Sequence, residues 1–211
     1  MPLFTHRLLH PEGEIGLWDI RENEAWFRAK LSLFPEEELR LDQIKGQGRR
    51  LEWLAARHLI HTMSGRHDRG ALIKDEFGKP HLENSDWQIS LSHTHQMAAA
   101  IAGPTAVGID IQVFVPKIDR LAHKYMRPEE SATLQSTTLL PHLHVYWCAK
   151  ETLYKLYSRK LIDFRENLMV EPFTYSEKGG QFKGTVIKDD FQQTFQLFYE
   201  VMGNYFLVYG A

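Results

Sequence analysis

The chain has 211 residues, of which 43% are hydrophobic and 12% aromatic, enough to fill one large domain or two small packed halves. Its formal charge of -2 provides no basic field of the kind that dominates nonspecific nucleic-acid binding, which argues against a general DNA- or RNA-binding protein. The single Cys148 cannot form an internal disulfide, and no apolar run approaches membrane-spanning length. We therefore expect a cytoplasmic protein without a membrane segment.

Hydrophobic spacing predicts the first elements. Residues 15–20 read as a short strand, and residues 22–33 as a helix with Trp26 and Phe27 facing inward. Pro35 and the acids after it favour the start of a second helix, because proline suits the first helical position and carboxylates suit a helix N-terminus. We assign no chemistry to these segments.

A longer helix is predicted over residues 48–60, with Arg50 and Arg57 separated by two helical turns. Two guanidinium groups on similar directions would suit the separate phosphates of a nucleotide. The alternative is a solvated face with Glu52 as an ion-pair partner, which spacing alone favours.

Two short strands are predicted over residues 71–82, joined by a turn that contains Gly78 and Pro80 and carries Lys79 at its tip. A lysine in a turn is usually only exposed. The next strand, from residue 87 to 91, gives way to small polar residues at Ser92 and His93. A lone histidine is more often structural than functional.

The middle and the end of the chain alternate between strands and helices. Residues 97–102 and 106–112 are predicted to form a hairpin that turns at residues 103–105 and marks a seam between two halves. A helix, a break and a second helix follow over residues 117–134, and a longer helix runs from after Pro141 to about Ser158. Residues 162–170 are an extended or loop segment, and residues 173–209 are an antiparallel meander with turns at 178–180, 188–190 and 202–204.

Two segments carry the candidate chemistry. In residues 107–112, apolar alternation places Asp110 and Gln112 together on one strand face. In the helix that ends near Ser158, Glu151 and Lys155 share a face. If strand and helix meet, two carboxylates and a lysine converge, which suits a hard divalent cation and a phosphate. The alternatives are a surface pair between Glu151 and Lys155, worth about 0.2–0.5 kcal/mol, and an Asp110 that caps a backbone amide.

At these positions the chain resembles a known family. Gly-Ile-Asp at residues 108–110, followed by Trp-x-x-Lys-Glu-x-x-x-Lys at residues 147–155, is similar to the signature of the 4'-phosphopantetheinyl transferases. Within that family the chain looks like the longer, surfactin-synthetase-activating (Sfp-type) group. The resemblance implies an α+β fold of two pseudo-twofold-related halves, packed side by side with the active site in the cleft between them. The halves would be residues 1–105 and 106–211.

The resemblance also implies an activity. The protein would move the phosphopantetheine group of coenzyme A (CoA) onto a serine of an apo acyl or peptidyl carrier protein of fatty-acid, polyketide or nonribosomal-peptide synthesis. It would release 3',5'-adenosine bisphosphate. Mg²⁺ would be held by Asp110, Gln112 and Glu151, and the catalytic residues would be Asp110, Glu151 and Lys155. The residues implied in CoA binding are Arg50, Arg57, Lys79, Ser92, His93, Lys150 and Lys155.

Two departures from the family pattern matter. Many members have an acid where this chain has Gln112, whose amide oxygen can ligate a cation but adds no charge, so we expect weaker metal binding. The usual glycines after the last lysine of the signature are replaced at residues 158–160, which leaves the shape of that loop open.

Two other classes remain open. The chain could be a noncatalytic module that binds CoA or a carrier protein, although binding alone would not need a general base at Glu151. It could also be an unrelated regulator that recognises phosphate groups. Its two-halved length indicates a monomer.

Overall fold

The computed structural model describes residues 4–211 and combines helix and sheet in similar amounts, 31% and 32%, which confirms the α+β class. Residues 1–3, which belong to the predicted N-terminal half, lie outside the described residues. The strands are β1 (Phe4–Leu8), β2 (Glu14–Asp19), β3 (Leu72–Lys74), β4 (Pro80–Leu82), β5 (Gln88–Thr94), β6 (Met97–Gly103), β7 (Gly108–Val113), β8 (Leu168–Val170), β9 (Gly180–Lys188), β10 (Phe191–Met202) and β11 (Tyr205–Gly210). The helices are α1 (Glu24–Leu31), α2 (Pro35–Gln43), α3 (Gln47–Ser64), α4 (Asp119–Tyr125), α5 (Pro128–Ser131) and α6 (Leu139–Tyr157).

The first sheet has the strand order β1-β2-β6-β5, with antiparallel neighbours throughout. Helix α3 packs on one face of this sheet, where the small side chains of β6 and the glycine of β2 let it approach. A Cβ added at Gly16 would lie 2.6 Å from the sulfur of Met63. Leu54 and Leu59 of α3 are fully buried there together with Phe27 of α1. This helix-on-sheet layer forms one hydrophobic core.

The second sheet has the order β7-β11-β10-β9-β8 and carries α6 on one face. Its core contains Leu153 of α6 and Leu197 of β10, both fully buried. A third cluster joins the two sheets, with Ile101 of β6 packed near Ile109 and Ile111 of β7. The two helix-and-sheet layers therefore share an apolar contact along β7.

The predicted hairpin between residues 97–102 and 106–112 is wrong. Strand β6 lies between β2 and β5, and β7 pairs with β11 in the other sheet, with Asp110 opposite Val208. The chain crosses from one sheet to the other between Gly103 and Gly108 instead of folding back. The alternation of apolar residues correctly indicated two strands, but alternation shows only which side chains share a face of a strand and not which strand pairs with it.

Most other elements are confirmed, with shifts at their ends. Strand β5 continues to Thr94, so the predicted break after residue 91 is wrong. Helix α6 begins at Leu139, two residues before Pro141, and the meander begins only at Gly180. The turn around Lys79, the start of α2 at Pro35, and the helix-break-helix pattern of α4 and α5 are as predicted. Among the described residues, no helix is long and apolar enough to cross a membrane.

Candidate active site

The site is built around Asp110, which lies on β7 and is only 7% exposed. Its carboxylate faces α6 because Gly108, two residues earlier on the same strand face, lets that helix come close. A Cβ at Gly108 would lie 2.6 Å from the carbonyl oxygen of Thr152. From the last turn of α6, Lys155 Nζ donates to Asp110 Oδ1 at 2.8 Å and to the carbonyl oxygen of Ile109 at 2.7 Å. The predicted meeting of strand and helix is confirmed.

Glu151 lies one turn before Lys155 on α6 and is half-buried. Burial first, and then the negative charge of Asp110, raise the pKa of Glu151 to about 7, while Lys155 acts in the opposite direction. No side chain or amide within residues 4–211 donates a hydrogen bond to this carboxylate. The two acids therefore share one ammonium group, and one negative charge is left uncompensated when both are ionised.

This donor set fits a hard divalent cation. Asp110 and Glu151 supply carboxylate oxygens, and Gln112, half-buried two residues after Asp110, can supply an amide oxygen from the same strand face. Burial first, and then the charge of Asp110, disfavour the ionised form of Glu151, and a bound cation would favour that form. Within the described part of the chain, no three His, Cys, Asp or Glu side chains cluster as a metal site, so the fit depends on Gln112 or on other oxygen ligands.

Ser92 and His93 point in opposite directions from β5. Ser92 is buried, and its hydroxyl donates to Asp110 Oδ1 at 2.8 Å. His93 is exposed, and its Nδ1 lies 3.0 Å from the Glu52 carboxylate on α3. The neighbouring residues therefore belong to different environments, one at the buried carboxylate and one at the surface.

Two cavities flank these residues. A cavity of about 200 Å³ is lined by Lys79 from the β3–β4 turn, Lys155 and Tyr154 from α6, and Arg159 from the loop after it. Lys79 is half-buried, and burial lowers its pKa. Lys160 Nζ ties this loop to the turn by donating to the carbonyl oxygen of Glu76 at 2.9 Å. Sequence reasoning missed Arg159, and helical spacing could not have placed it, because α6 ends at Tyr157 and Ser158 has a left-handed backbone.

The second cavity, of about 710 Å³, contains His93 and a cluster of cations that sequence reasoning also missed. These are Arg40 and Lys45 from the α2 region and Arg49 from α3. Phosphate groups favour cavities of this charge. Both cavities are thus lined by cations.

The comparisons with known proteins agree with this geometry. Residues 106–206 match the family model of the 4'-phosphopantetheinyl transferase superfamily. That span, slightly less than half of the chain, is similar to the domain of this superfamily. The matched span includes Asp110, Gln112, Glu151 and Lys155, whereas Lys79, Ser92 and His93 lie before it. No curated protein matches the chain. Members of the superfamily act on CoA and carrier proteins and generally use a divalent metal.

Arg50 and Arg57, which the resemblance to phosphopantetheinyl transferases implies in CoA binding, are not brought to either cavity. Arg50 donates to both carboxylate oxygens of Glu24, at 2.7 and 2.6 Å. Arg57 donates to Glu37 at 3.2 Å and stacks on a tryptophan ring, and burial lowers its pKa to about 10. Arg50 lies one turn before Leu54, which is fully buried, and this pattern could have favoured Arg49 as the residue that faces the cavity.

Lys150 also lies away from the site around Asp110. Its side chain leaves α6 in a different direction from that of Glu151, has no exposed surface and forms an ion pair with Glu130 at 2.8 Å. Its ammonium group also donates to the carbonyl oxygens of Phe164, before β8, and of Leu168, the first residue of β8. No part of Lys150 reaches either cavity.

Proposed function

We propose that the protein is a Mg²⁺-dependent 4'-phosphopantetheinyl transferase that moves the phosphopantetheine group of CoA onto a serine of an apo acyl or peptidyl carrier protein. The observation that carries the proposal is the 2.8 Å contact between Lys155 and Asp110, with Glu151 beside it, inside the span that matches the superfamily. Two acids and one lysine converge where β7 meets α6, and such a cluster with a perturbed pKa is a candidate functional site.

Asp110, Glu151 and Gln112 are the residues proposed to hold Mg²⁺, which would supply positive charge to the pyrophosphate of CoA. Glu151 accepts the hydroxyl proton of the carrier serine as the serine oxygen attacks the β-phosphate. Without a metal the pKa of Glu151 is raised to about 7, and a bound Mg²⁺ would lower it, so the carboxylate would be ionised and able to accept a proton at neutral pH. Lys155 stabilises the charge that develops on the departing 3',5'-adenosine bisphosphate.

The phosphates and the nucleotide of CoA are proposed to lie along the two cationic cavities. Lys79 and Lys155 contact the phosphates from the smaller cavity, and His93 lies with Arg49 in the larger one. Arg50 and Arg57 are left out because neither lines these cavities, and their guanidinium groups pair with Glu24 and Glu37.

The site is proposed to lie between two related halves of one subunit, with their boundary near residue 105. Each half has a helix on a sheet, α3 on the first and α6 on the second, which supports this division. Ser92 and Lys79 come from the first half, and Asp110 and Lys155 from the second. One chain supplies all of these residues, which supports an active monomer.

The test is intact-mass spectrometry of an apo acyl carrier protein incubated with this protein, CoA and Mg²⁺. The carrier should gain one phosphopantetheine group, and the gain should be lost with Asp110→Ala or with a chelator. Glu166→Gln, at an exposed carboxylate outside the site, is the matched control and should retain activity. If several classes of carrier gain no mass while CoA still binds, the transferase assignment is refuted and a CoA-binding module is favoured.

A further inference from the structure

Strand β5 presents a row of hydroxyl groups to β7. Ser90, Ser92 and Thr94 alternate along β5, so their side chains share one face, and all three are at most 8% exposed. Each hydroxyl oxygen accepts a hydrogen bond of 3.2 Å from a backbone N–H of β7. The donors are Ile109, Ile111 and Val113 in order. These hydroxyls satisfy the buried edge of β7 in place of a backbone ladder.

Among the described contacts, Ser92 is the residue of this row whose hydroxyl bonds to a carboxylate, that of Asp110. Ser92 Oγ donates its hydrogen to Asp110 Oδ1 at 2.8 Å while it accepts from the Ile111 amide. A serine hydroxyl has one hydrogen to donate, and this hydrogen bond uses it. Lys155, on α6, donates to the same oxygen of Asp110, so the Asp110 carboxylate is held between β5 and α6.

The surroundings of Ser92 leave little room for a second role. Ser92 and Asp110 are each only 7% exposed, and the contact between them is buried. His93, the next residue, is the part of this pair that reaches a cavity and the surface. A nucleotide phosphate could reach His93 without touching the Ser92 hydroxyl.

We propose that Ser92 is a positioning residue, which orients the Asp110 carboxylate for metal binding and does not contact CoA. This inference rests on the proposed transferase function for its kinetic consequences, but not for its effect on metal binding. Removing a side chain that orients a metal ligand usually lowers metal affinity or activity by about 10- to 100-fold. The Ser92→Ala protein is expected to bind the metal about 10- to 100-fold more weakly than wild type, and its kcat should fall within the same range because the metal is needed for the reaction.

Ser90→Ala is the matched control because it removes a hydroxyl with the same N–H···O length from the same row, but without the carboxylate contact. Four quantities are measured for wild type, Ser92→Ala and Ser90→Ala: the urea midpoint, the affinity for Mn²⁺ by electron paramagnetic resonance, kcat, and KM for CoA. Ser92→Ala should lower Mn²⁺ affinity and kcat with KM for CoA within about threefold of wild type. Ser90→Ala should lower stability to a similar degree and leave Mn²⁺ affinity near wild type. Because Ser90 lines the smaller cavity proposed for the CoA phosphates, this variant is the control for metal binding and not for kcat or KM.

Three results would overturn the inference. One is equal Mn²⁺ affinity in the two variants. Another is a Ser92→Ala protein with raised KM for CoA and unchanged kcat, as a direct CoA contact predicts. The third is a folded Ser92→Thr protein, which keeps the hydroxyl, that binds Mn²⁺ as weakly as Ser92→Ala. If the wild type transfers no phosphopantetheine, the transferase function fails, and the Mn²⁺ comparison still decides the role of Ser92.

Discussion

The buried ion pair between Lys150 and Glu130 gives the sharpest prediction, because it separates a structural lysine from a CoA-binding one. Lys150 Nζ lies 2.8 Å from Glu130 Oε1, and the two side chains are 0% and 1% exposed. Glu130 also accepts backbone N–H bonds from Val170 at 2.9 Å and from Arg127 at 2.8 Å. One carboxylate thus joins α5, β8 and α6.

Replacing Lys150 alone should be costly. The Lys150→Met protein keeps a buried carboxylate without its cation, and breaking a buried pair on one side costs about 3–5 kcal/mol. The two amide donors that remain on Glu130 place the expected loss near the lower end of that range. The Glu130→Gln/Lys150→Met double variant removes both charges, and it should recover most of the loss, because apolar or neutral replacements of buried pairs are often close to neutral.

The assay is urea unfolding at pH 7 of the wild type, the two single variants and the double variant, combined with KM for CoA. A coupling free energy of about 2 kcal/mol or more between the two sites is expected, with KM little changed in the double variant. If Lys150 instead contacts the pyrophosphate, Lys150→Met would keep wild-type stability and raise KM for CoA. That pattern would refute the structural role.

Four further predictions follow from the site and its supports. Because the pKa of Glu151 is about 7, protons should compete with Mn²⁺ and weaken its binding as the pH falls through 7. Glu151→Gln should remove this pH dependence of Mn²⁺ affinity. A wild-type Mn²⁺ affinity that stays constant from pH 5.5 to 8 would contradict the prediction. Gln112→Glu should lower the Mg²⁺ concentration needed for half-maximal activity, and an unchanged metal titration would place residue 112 outside the ligands. Burial lowers the pKa of His142 from 6.5 to about 4, so as the pH falls the unfolded state takes up the proton first. About 3 kcal/mol of stability should therefore be lost between pH 6.5 and 4. The His142→Leu protein should lose less stability in urea titrations at pH 4.5, and an acid sensitivity equal to that of wild type would contradict this prediction. Gly108→Ala would place a methyl group 2.6 Å from the Thr152 carbonyl oxygen and should lower stability by about 1–3 kcal/mol by calorimetry, whereas an unchanged melting temperature would show that α6 can move away freely.

The convergence of the site was predictable because both of its segments have strong periodicity. Alternation put Asp110 and Gln112 on one face of β7, and a four-residue spacing put Glu151 and Lys155 on one face of α6. The short contact between Asp110 and Lys155 required only that the two faces meet. Local patterns are reliable in such cases because side-chain direction follows directly from backbone geometry.

The direction of long, charged side chains was less predictable, because it depends on distant partners. Arg50 is turned away from the cavities by Glu24, which is 26 residues earlier, and Lys150 is drawn into the core by Glu130. Neither acid stands out in the sequence as a partner. Spacing therefore placed these cations on the correct helices without identifying what they contact.

The wrong hairpin shows why pairing was harder to predict than faces, and also where the evidence lay. A strand has two edges, and those of β6 are taken by β2 and β5, so β7 had to pair elsewhere and left its second edge facing β5. Buried amides on that edge need acceptors, and the alternating hydroxyls of Ser90, Ser92 and Thr94 supply them. Hydroxyl groups at every second position of an otherwise apolar strand thus indicate an edge bridged by side chains. Because the same row also holds Asp110, the contact that joins the two sheets positions the candidate metal ligand.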